Sequence, residues 1–152
     1  MASIFQRVND IINANINDLL DRIEDPERMI KQIIREMEDN ISQAKEGVVN
    51  AIASEKQLAR ELDNHRQQSA AWLAKAETAL EAGKEDLARS ALTRKKEYDA
   101  TIATLEPAWA SAKATSERLK NQLHKLEDKL EEAKHKRGSL IARQRASEAQ
   151  AH

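Results

Sequence analysis

The sequence has 152 residues, a formal net charge of −1, 34% charged residues and 40% hydrophobic residues, with no cysteine. Nucleic-acid-binding proteins obtain most of their affinity from a clustered basic excess, so this balance argues against a nucleic-acid partner, and the missing thiols exclude disulfides and thiolate metal sites. Glycine and proline are rare, and Ala, Leu, Glu, Lys and Arg make up just over half of the chain, a composition typical of long helices and coiled coils.

The N-terminal segment, residues 1–24, is predicted to form an amphipathic helix. Ser3 and Gln6 have the spacing of a capping box, which indicates a helix start at Ser3. Viewed along a helix axis, eight large apolar residues fall within an arc of about 180°, and most charged residues lie opposite. An arc this wide suits a helix that lies in a membrane interface. The predicted membrane-binding residues are Ile4, Phe5, Val8, Ile11, Ile12, Ile16, Leu19 and Leu20.

Two interpretations of this apolar arc are open. One is contact with membrane lipids, and the other is packing on protein, either the chain's own hairpin or a neighbouring copy. Residues 1–24 carry two arginines against four carboxylates, so attraction of basic residues to anionic lipid is not the main force in the first interpretation. No run of about 18 apolar residues occurs, so membrane contact is expected to be peripheral, and many copies are expected to bind better than one.

A hinge is predicted at Asp25 and Pro26, where the N-terminal segment ends. Proline disfavours helical geometry at the preceding residue but suits the first position of a new helix, and Asp25 is then a good N-cap. The helical pattern continues from Pro26 to Gly83, which stands where a left-handed C-cap costs least. Gly83 is therefore the predicted turn of a helical hairpin.

The hairpin is predicted to cover residues 25–152, with arms at about 26–82 and 84–146. Steps of three and four residues place apolar side chains at twelve of fifteen positions in each arm, and we call these the seam positions. Such a sustained 3.5-residue repeat predicts an all-α fold in which the arms form a long antiparallel coiled coil. The seam positions are Ile30, Ile34, Met37, Ile41, Ala44, Val48, Ala51, Glu55, Ala59, Leu62, Arg66, Ser69, Leu73, Ala76 and Leu80, followed by Ala91, Lys95, Tyr98, Ile102, Leu105, Trp109, Ala112, Ser116, Leu119, Leu123, Leu126, Leu130, Ala133, Arg137 and Leu140.

Pro107 lies inside the second arm, between two seam positions. Proline removes one helical hydrogen bond, so a kink is predicted there. The heptad phase continues across it, which favours one bent arm over two separate helices.

No pattern of residues predicts catalysis, a metal site or a cofactor, so the sequence favours a structural or binding protein over an enzyme. Three scattered glycines cannot form a phosphate-binding loop, and the four histidines show no pairing at i,i+4. Trp72 and Trp109, one in each arm, are predicted to pack in the seam or in a subunit contact. The stretch Lys113–Arg145 has ten basic and five acidic residues and is interpreted as a solvated face.

Two stretches carry a resemblance to a known family. Residues 4–39 read IFQRVNDIINANINDLLDRIEDPERMIKQIIREMED, and residues 83–98 read GKEDLARSALTRKKEY. With the long hairpin around Gly83, they resemble phage shock protein A and the vesicle-inducing protein in plastids, bacterial and plastid members of the ESCRT-III superfamily. The resemblance covers nearly the whole chain. Members usually continue for several helices past the hairpin, whereas this sequence ends at His152.

The resemblance implies a peripheral protein on the inner, cytoplasmic face of the cytoplasmic membrane. Such proteins form homo-oligomeric rings, rods or filaments that bind and remodel stressed bilayers, and the eight apolar residues above match the family's lipid-binding helix. In some bacteria the hairpin also binds and inhibits an AAA+ transcription activator. Three functions are thus weighed: a membrane-remodelling scaffold, a regulatory module that binds such an activator, and a soluble structural coiled coil.

Overall fold

The computed structural model describes Asn15 and residues 24–151, and within them it consists of two long helices. Helix α1 runs over Pro26–Glu81 and helix α2 over Glu85–Ala151. The two helices form a hairpin, and no strand occurs in the part of the chain that the structure describes. The prediction of an all-α helical hairpin is therefore confirmed.

The chain divides into two compact units. The terminal unit contains Met1–Val48 and Arg118–His152, and the turn unit contains Val49–Glu117. Each unit holds a part of both helices, so each has its own stretch of helix-to-helix packing.

The core of the terminal unit is a line of aliphatic side chains. Ile30, Ile34 and Met37 of α1 surround Ala133 of α2, and Ile41 packs against Leu126. Burying a large aliphatic side chain completely contributes about 1.5–3 kcal/mol, so these few residues dominate the packing energy of the unit. The side chains around them are only half-buried: Met29, Ile33, Ala44, Leu123, Leu130 and Leu140.

Burial follows the seam positions closely. In the described part of the chain every buried residue except Ala88 stands at a predicted seam position. Three seam positions of α1 are nevertheless exposed, namely Arg66, Leu73 and Leu80. All three belong to the turn unit, where small residues such as Ala76 and Ala88 occupy the buried positions and cover less of the neighbouring side chains.

Helix α2 continues through Pro107 without a break and ends at Ala151, beyond the predicted end near residue 146. The half-buried residues Leu105 and Trp109 stand on either side of the proline. Packing on both sides therefore maintains the helix, although proline cannot donate its own backbone hydrogen bond. None of the helices in the described residues has a stretch long and apolar enough to cross a membrane.

Candidate functional site

The eight predicted membrane-binding residues, from Ile4 to Leu20, lie outside the described residues. Within the N-terminal segment the structure describes Asn15 and Glu24, and both are exposed. Asn15 is not helical, whereas the sequence prediction placed it inside a helix. Asparagine competes for backbone hydrogen bonds through its own side chain, which disfavours helix interiors. The assignment of the eight residues to lipid binding stays a prediction.

Asp25 and Pro26, the predicted hinge, form the start of α1. The Arg28 backbone N–H donates to Asp25 Oδ1 at 3.2 Å, and the Met29 N–H donates to the Asp25 carbonyl at 3.2 Å. A side-chain oxygen that accepts from a first-turn N–H satisfies one of the four unpaired donors at a helix start. Pro26 is the first helical residue, where its missing N–H costs nothing.

Gly83 forms the turn through a closed pattern of backbone hydrogen bonds. The Lys84 N–H donates to the Ala79 carbonyl at 2.8 Å, and the Gly83 N–H donates to the Leu80 carbonyl at 3.0 Å. These are the two bonds of a Schellman motif, which requires a left-handed residue after the helix end. Gly83 has a φ of 73° and supplies that conformation.

We expect Gly83→Val to lower the free energy of unfolding by about 1–2 kcal/mol, because a β-branched residue resists positive φ. The space around an added Cβ is open, so the cost comes from the backbone alone. Thermal or urea unfolding measures it. Gly47→Ala is the control, since Gly47 lies within α1 at a negative φ and alanine there should stabilise the helix by roughly 0.5–1 kcal/mol. Equal stability of parent and Gly83→Val would contradict this account of the turn.

The three polar seam positions of α1, Glu55, Arg66 and Ser69, have partners on α2. Trp109 Nε1 donates to Glu55 Oε1 at 2.9 Å, half-buried between the arms. Arg66 Nη2 donates to Glu106 Oε1 at 2.8 Å, in an exposed ion pair. Each of these bonds forms only in one register of α1 against α2, so the breaks in the apolar repeat help to fix that register.

Another part-buried polar contact of the turn unit joins Ser69, Asp99 and Lys95. Ser69 Oγ donates to Asp99 Oδ1 at 2.5 Å, and Lys95 Nζ donates to Asp99 Oδ2 at 2.6 Å. The hydrogen bond from Lys95, and then that from Ser69, lowers the pKa of the Asp99 carboxyl below its ordinary value of 3.8. Both bonds favour the ionised form, because a carboxylate accepts from both donors at once.

This contact predicts a pH-dependent part of the stability. Because the pKa of Asp99 is lowered by folding, its contribution is complete above 3.8 and is lost as the pH falls through the folded-state pKa. We expect Asp99→Asn to melt below the parent near neutral pH, with the difference shrinking as the solution is acidified below pH 3.8. Melting temperatures of both proteins across that range measure it. Lys95→Met should weaken the same dependence, and a difference that does not change with pH would contradict the assignment.

The histidines and tryptophans give no sign of a metal or cofactor site in the described residues. No group of His, Asp and Glu side chains there could hold a metal ion. His65 Nδ1 lies 2.7 Å from the Glu61 carbonyl oxygen, and its ring packs edge-on against Tyr98 at 5.6 Å between centroids. Trp109 stands at a seam position, and Trp72 lies half-buried beside the seam.

Large apolar side chains are exposed near the turn, on two sides of the seam. On one side a hollow of about 340 Å³ is lined by apolar residues together with Glu77, Glu85 and Arg89. We call this side the leucine flank: Leu73, Ala76, Glu77, Leu80, Glu85, Ala88, Arg89 and Leu92.

On the opposite side two adjoining hollows, of about 350 and 370 Å³, lie around Trp72 and Leu87 and extend to the turn. We call this side the tryptophan flank: Trp72, Ala74, Lys75, Thr78, Ala79, Ala82, Lys84, Leu87, Ser90, Ala91 and Arg94.

The spacing of apolar residues did not reveal these flanks, for a specific reason. Leu73 and Leu80 were assigned to the seam by their spacing, but Leu80 is 63% exposed. Leu87 and Leu92 are 57% and 44% exposed. Both lie within the predicted second arm but outside its seam positions. Leu87 and Leu92 were the available signal. Two leucines outside the seam positions and within ten residues of a turn indicate apolar surface that the hairpin does not cover.

Comparison with known proteins gives a match over nearly the whole chain. The model of the PspA/IM30 family matches residues 3–152. Membrane-associated protein Vipp1 of Nostoc punctiforme is 38% identical over 97% of this chain and 57% of its own length. Vipp1 of Synechocystis is 37% identical over 97% and 55%, and a phage shock protein A homolog of Deinococcus radiodurans is 35% identical over 97% and 66%. The chain thus spans little more than half the length of the two Vipp1 relatives.

Proposed function

This chain belongs to the PspA/IM30 family, and from that membership we propose that it is a peripheral membrane protein without enzymatic activity. The resemblance noted in residues 4–39 and 83–98 is thereby confirmed. In the proposed function, copies of the chain assemble into a scaffold that maintains or remodels the cytoplasmic membrane under stress. The observation that carries the proposal is the family match over residues 3–152, because it includes the N-terminal segment and both helices, together with relatives named membrane-associated proteins.

The proposal divides the work between the N-terminal segment and the hairpin. The segment contacts the inner face of the membrane through its apolar arc, and the hairpin, with its own packed seam, supplies the support. Ordering the segment on the membrane costs conformational entropy that offsets much of the gain from burying apolar side chains, so a single copy binds weakly. Many copies on one scaffold bind tightly, since each bound segment raises the effective concentration of the next. The proposed lipid contacts are Ile4, Phe5, Val8, Ile11, Ile12, Ile16, Leu19 and Leu20.

Flotation of the unmodified chain with lipid vesicles tests the proposal. The vesicles contain anionic and zwitterionic phospholipid, and the density gradient is run at about 0.1 M and about 1 M salt, where the Debye length is about 10 Å and about 3 Å. We expect the protein to float at both salt concentrations, because the segment carries an excess of two carboxylates and is held by apolar burial.

The two alternative functions, a regulatory module and a soluble coiled coil, predict a different result in the same gradient. A protein that stays at the bottom in the presence of vesicles would contradict the membrane proposal and leave the regulatory module and the soluble coiled coil. Those two are then separated by adding a purified AAA+ transcription activator, which only the regulatory module would bind and inhibit.

A further inference from the structure

Basic side chains are concentrated near the end of α2, although the chain as a whole is almost neutral. Between residues 133 and 147 the helix carries five basic residues and no acidic one, whereas the whole chain has 25 basic and 26 acidic residues. We call the five the basic end of α2: Lys134, Lys136, Arg137, Arg143 and Arg145. A local excess of this kind attracts a partner of opposite charge, which the chain's net charge of −1 does not reveal.

The hairpin does not neutralise the basic end. Basic side chains elsewhere are paired, as Lys129 is with Glu132 at 3.4 Å and Arg66 with Glu106 at 2.8 Å. Among the residues that the structure describes, no carboxylate oxygen lies within 4.0 Å of a cation of the basic end. This holds even for Arg137, which is half-buried at a seam position. A solvated helix face usually interleaves charges of both signs, and this stretch does not.

The basic end lies at the level of the hinge. Ile41 packs against Leu126, and the two helices run antiparallel, so Pro26, fifteen residues before Ile41, is level with residue 141 of α2. Arg143 and Arg145 therefore stand just past the level at which the N-terminal segment joins α1. From residue 141 the helix continues for ten residues, or about 15 Å, before it ends.

This position compensates for the charge of the N-terminal segment. The cytoplasmic leaflet is negatively charged, and the segment carries two arginines against four carboxylates, so the side chains of the segment are repelled by it overall. A cation attracts lipid phosphates only within about a Debye length, which is about 10 Å at 0.1 M salt. When the segment lies on the membrane the hinge is at the surface, and the cations level with the hinge come within that distance.

We propose that the basic end of α2 is a second membrane contact, which binds the phosphates of anionic phospholipids while the N-terminal segment lies in the interface. This inference rests on the proposed membrane function but assigns a site separate from the segment. The segment remains the anchor through apolar burial, and once it is bound it holds the basic end near the headgroups at high effective concentration. Because salt screens the attraction, the second contact is present at about 0.1 M salt and lost at about 1 M salt.

A single fluorescent label tests the position of the basic end in the full chain. The chain has no cysteine, so Ser147→Cys supplies the only thiol, and Asn121→Cys, on an exposed part of the same helix about 39 Å away, supplies the comparison. The vesicles contain anionic phospholipid and a lipid with a nitroxide on its headgroup, which quenches a dye at short range. We expect the dye at residue 147 to be quenched at about 0.1 M salt and to recover at about 1 M salt while the protein still floats. The dye at residue 121 should be quenched under neither condition.

Two pairs of neutralised cations supply the matched control. Arg143→Gln with Arg145→Gln removes two exposed cations of the basic end, and Arg118→Gln with Lys120→Gln removes two exposed cations at the same spacing on the same helix, away from the hinge. At about 1 kcal/mol for each basic residue near an anionic surface, the first pair should raise the concentration of anionic vesicles needed for half-maximal binding at about 0.1 M salt by about 25-fold. The second pair should bind like the parent. On vesicles of zwitterionic phospholipid alone, both pairs should bind like the parent.

Three results would overturn the inference. If the protein floats but the dye at residue 147 is not quenched, or the first pair binds anionic vesicles like the parent, the second contact is wrong and the proposed function stands. If the protein does not float at either salt concentration, both are wrong. If the two labels are quenched equally, or the two pairs weaken binding equally, the charge of the whole hairpin and not the basic end of α2 attracts the lipid.

Discussion

Leu126→Asp is expected to lower the free energy of unfolding by at least about 4 kcal/mol, enough to unfold much of a domain whose total stability is about 5–15 kcal/mol. Leu126 has 0% of its surface exposed and packs on Ile41, between Leu123 and Leu130. Removing the buried leucine loses its transfer energy, and the carboxylate that replaces it must either give up its hydration without a partner or take up a proton. Circular dichroism during thermal and urea unfolding measures the loss.

The control for this variant is the same change at an exposed leucine of the same helix. Leu92 is 44% exposed, so Leu92→Asp should cost no more than about 1 kcal/mol. If Leu126→Asp melted at the temperature of Leu92→Asp, Leu126 would not stand in a packed seam and the helix pairing of the terminal unit would be wrong.

The seam of the terminal unit could be predicted from the sequence because its cause is local. A 3.5-residue repeat turns one stripe of each helix toward the other, whatever the rest of the molecule does. Ile30, Met37, Leu126 and Ala133 were all placed in the seam by spacing, and all are buried. The antiparallel pairing followed from a single glycine, since only one turn joins the two helices.

The contacts across the turn unit could not be predicted, because they depend on register. The bonds from Trp109 to Glu55 and from Arg66 to Glu106 join residues that are 54 and 40 positions apart in sequence. A shift of α2 along α1 would break both bonds. The sequence showed Glu55 and Arg66 as breaks in the apolar repeat without showing their partners.

The exposure of Leu80 was missed for a related reason. Spacing shows where a side chain points but not how much the facing helix covers it. Ala76 and Ala88 are the buried residues beside it, and their side chains are too small to close the space between the arms. Coverage at the end of a hairpin therefore depends on the size of two or three facing residues, which periodicity does not report.

Phe5→Asp combined with Ile12→Asp is expected to abolish membrane binding and leave the hairpin folded. Both residues stand near the middle of the apolar arc. A carboxylate there either stays in water, which keeps the arc out of the membrane, or enters the apolar interior of the bilayer at a cost of several kcal/mol. Neither residue is a seam position of α1 or α2, so the far-UV circular dichroism of the two helices and their melting temperature should change little. The double variant should therefore remain at the bottom of the gradient as a folded protein.

A variant of equal charge isolates the face of the segment. Gln6→Asp with Asn17→Asp adds the same two negative charges on the side of the predicted helix opposite the arc. We expect this control to float nearly as well as the parent. Equal loss of binding in both variants would show that negative charge alone, and not the apolar arc, decides the result.

Flotation of these two variants beside the parent, with helicity and melting temperature recorded for each, tests most directly whether the arc from Ile4 to Leu20 carries membrane binding. We expect that the parent and Gln6→Asp with Asn17→Asp float, and that Phe5→Asp with Ile12→Asp stays at the bottom with its helices intact. Flotation of the protein that carries both Phe5→Asp and Ile12→Asp would show that the arc is not the membrane anchor. The basic stretch Lys113–Arg145 would then be the better candidate. Unfolding of the same double variant would also contradict membrane binding by the arc, because it would mean that the arc packs on the chain's own hairpin.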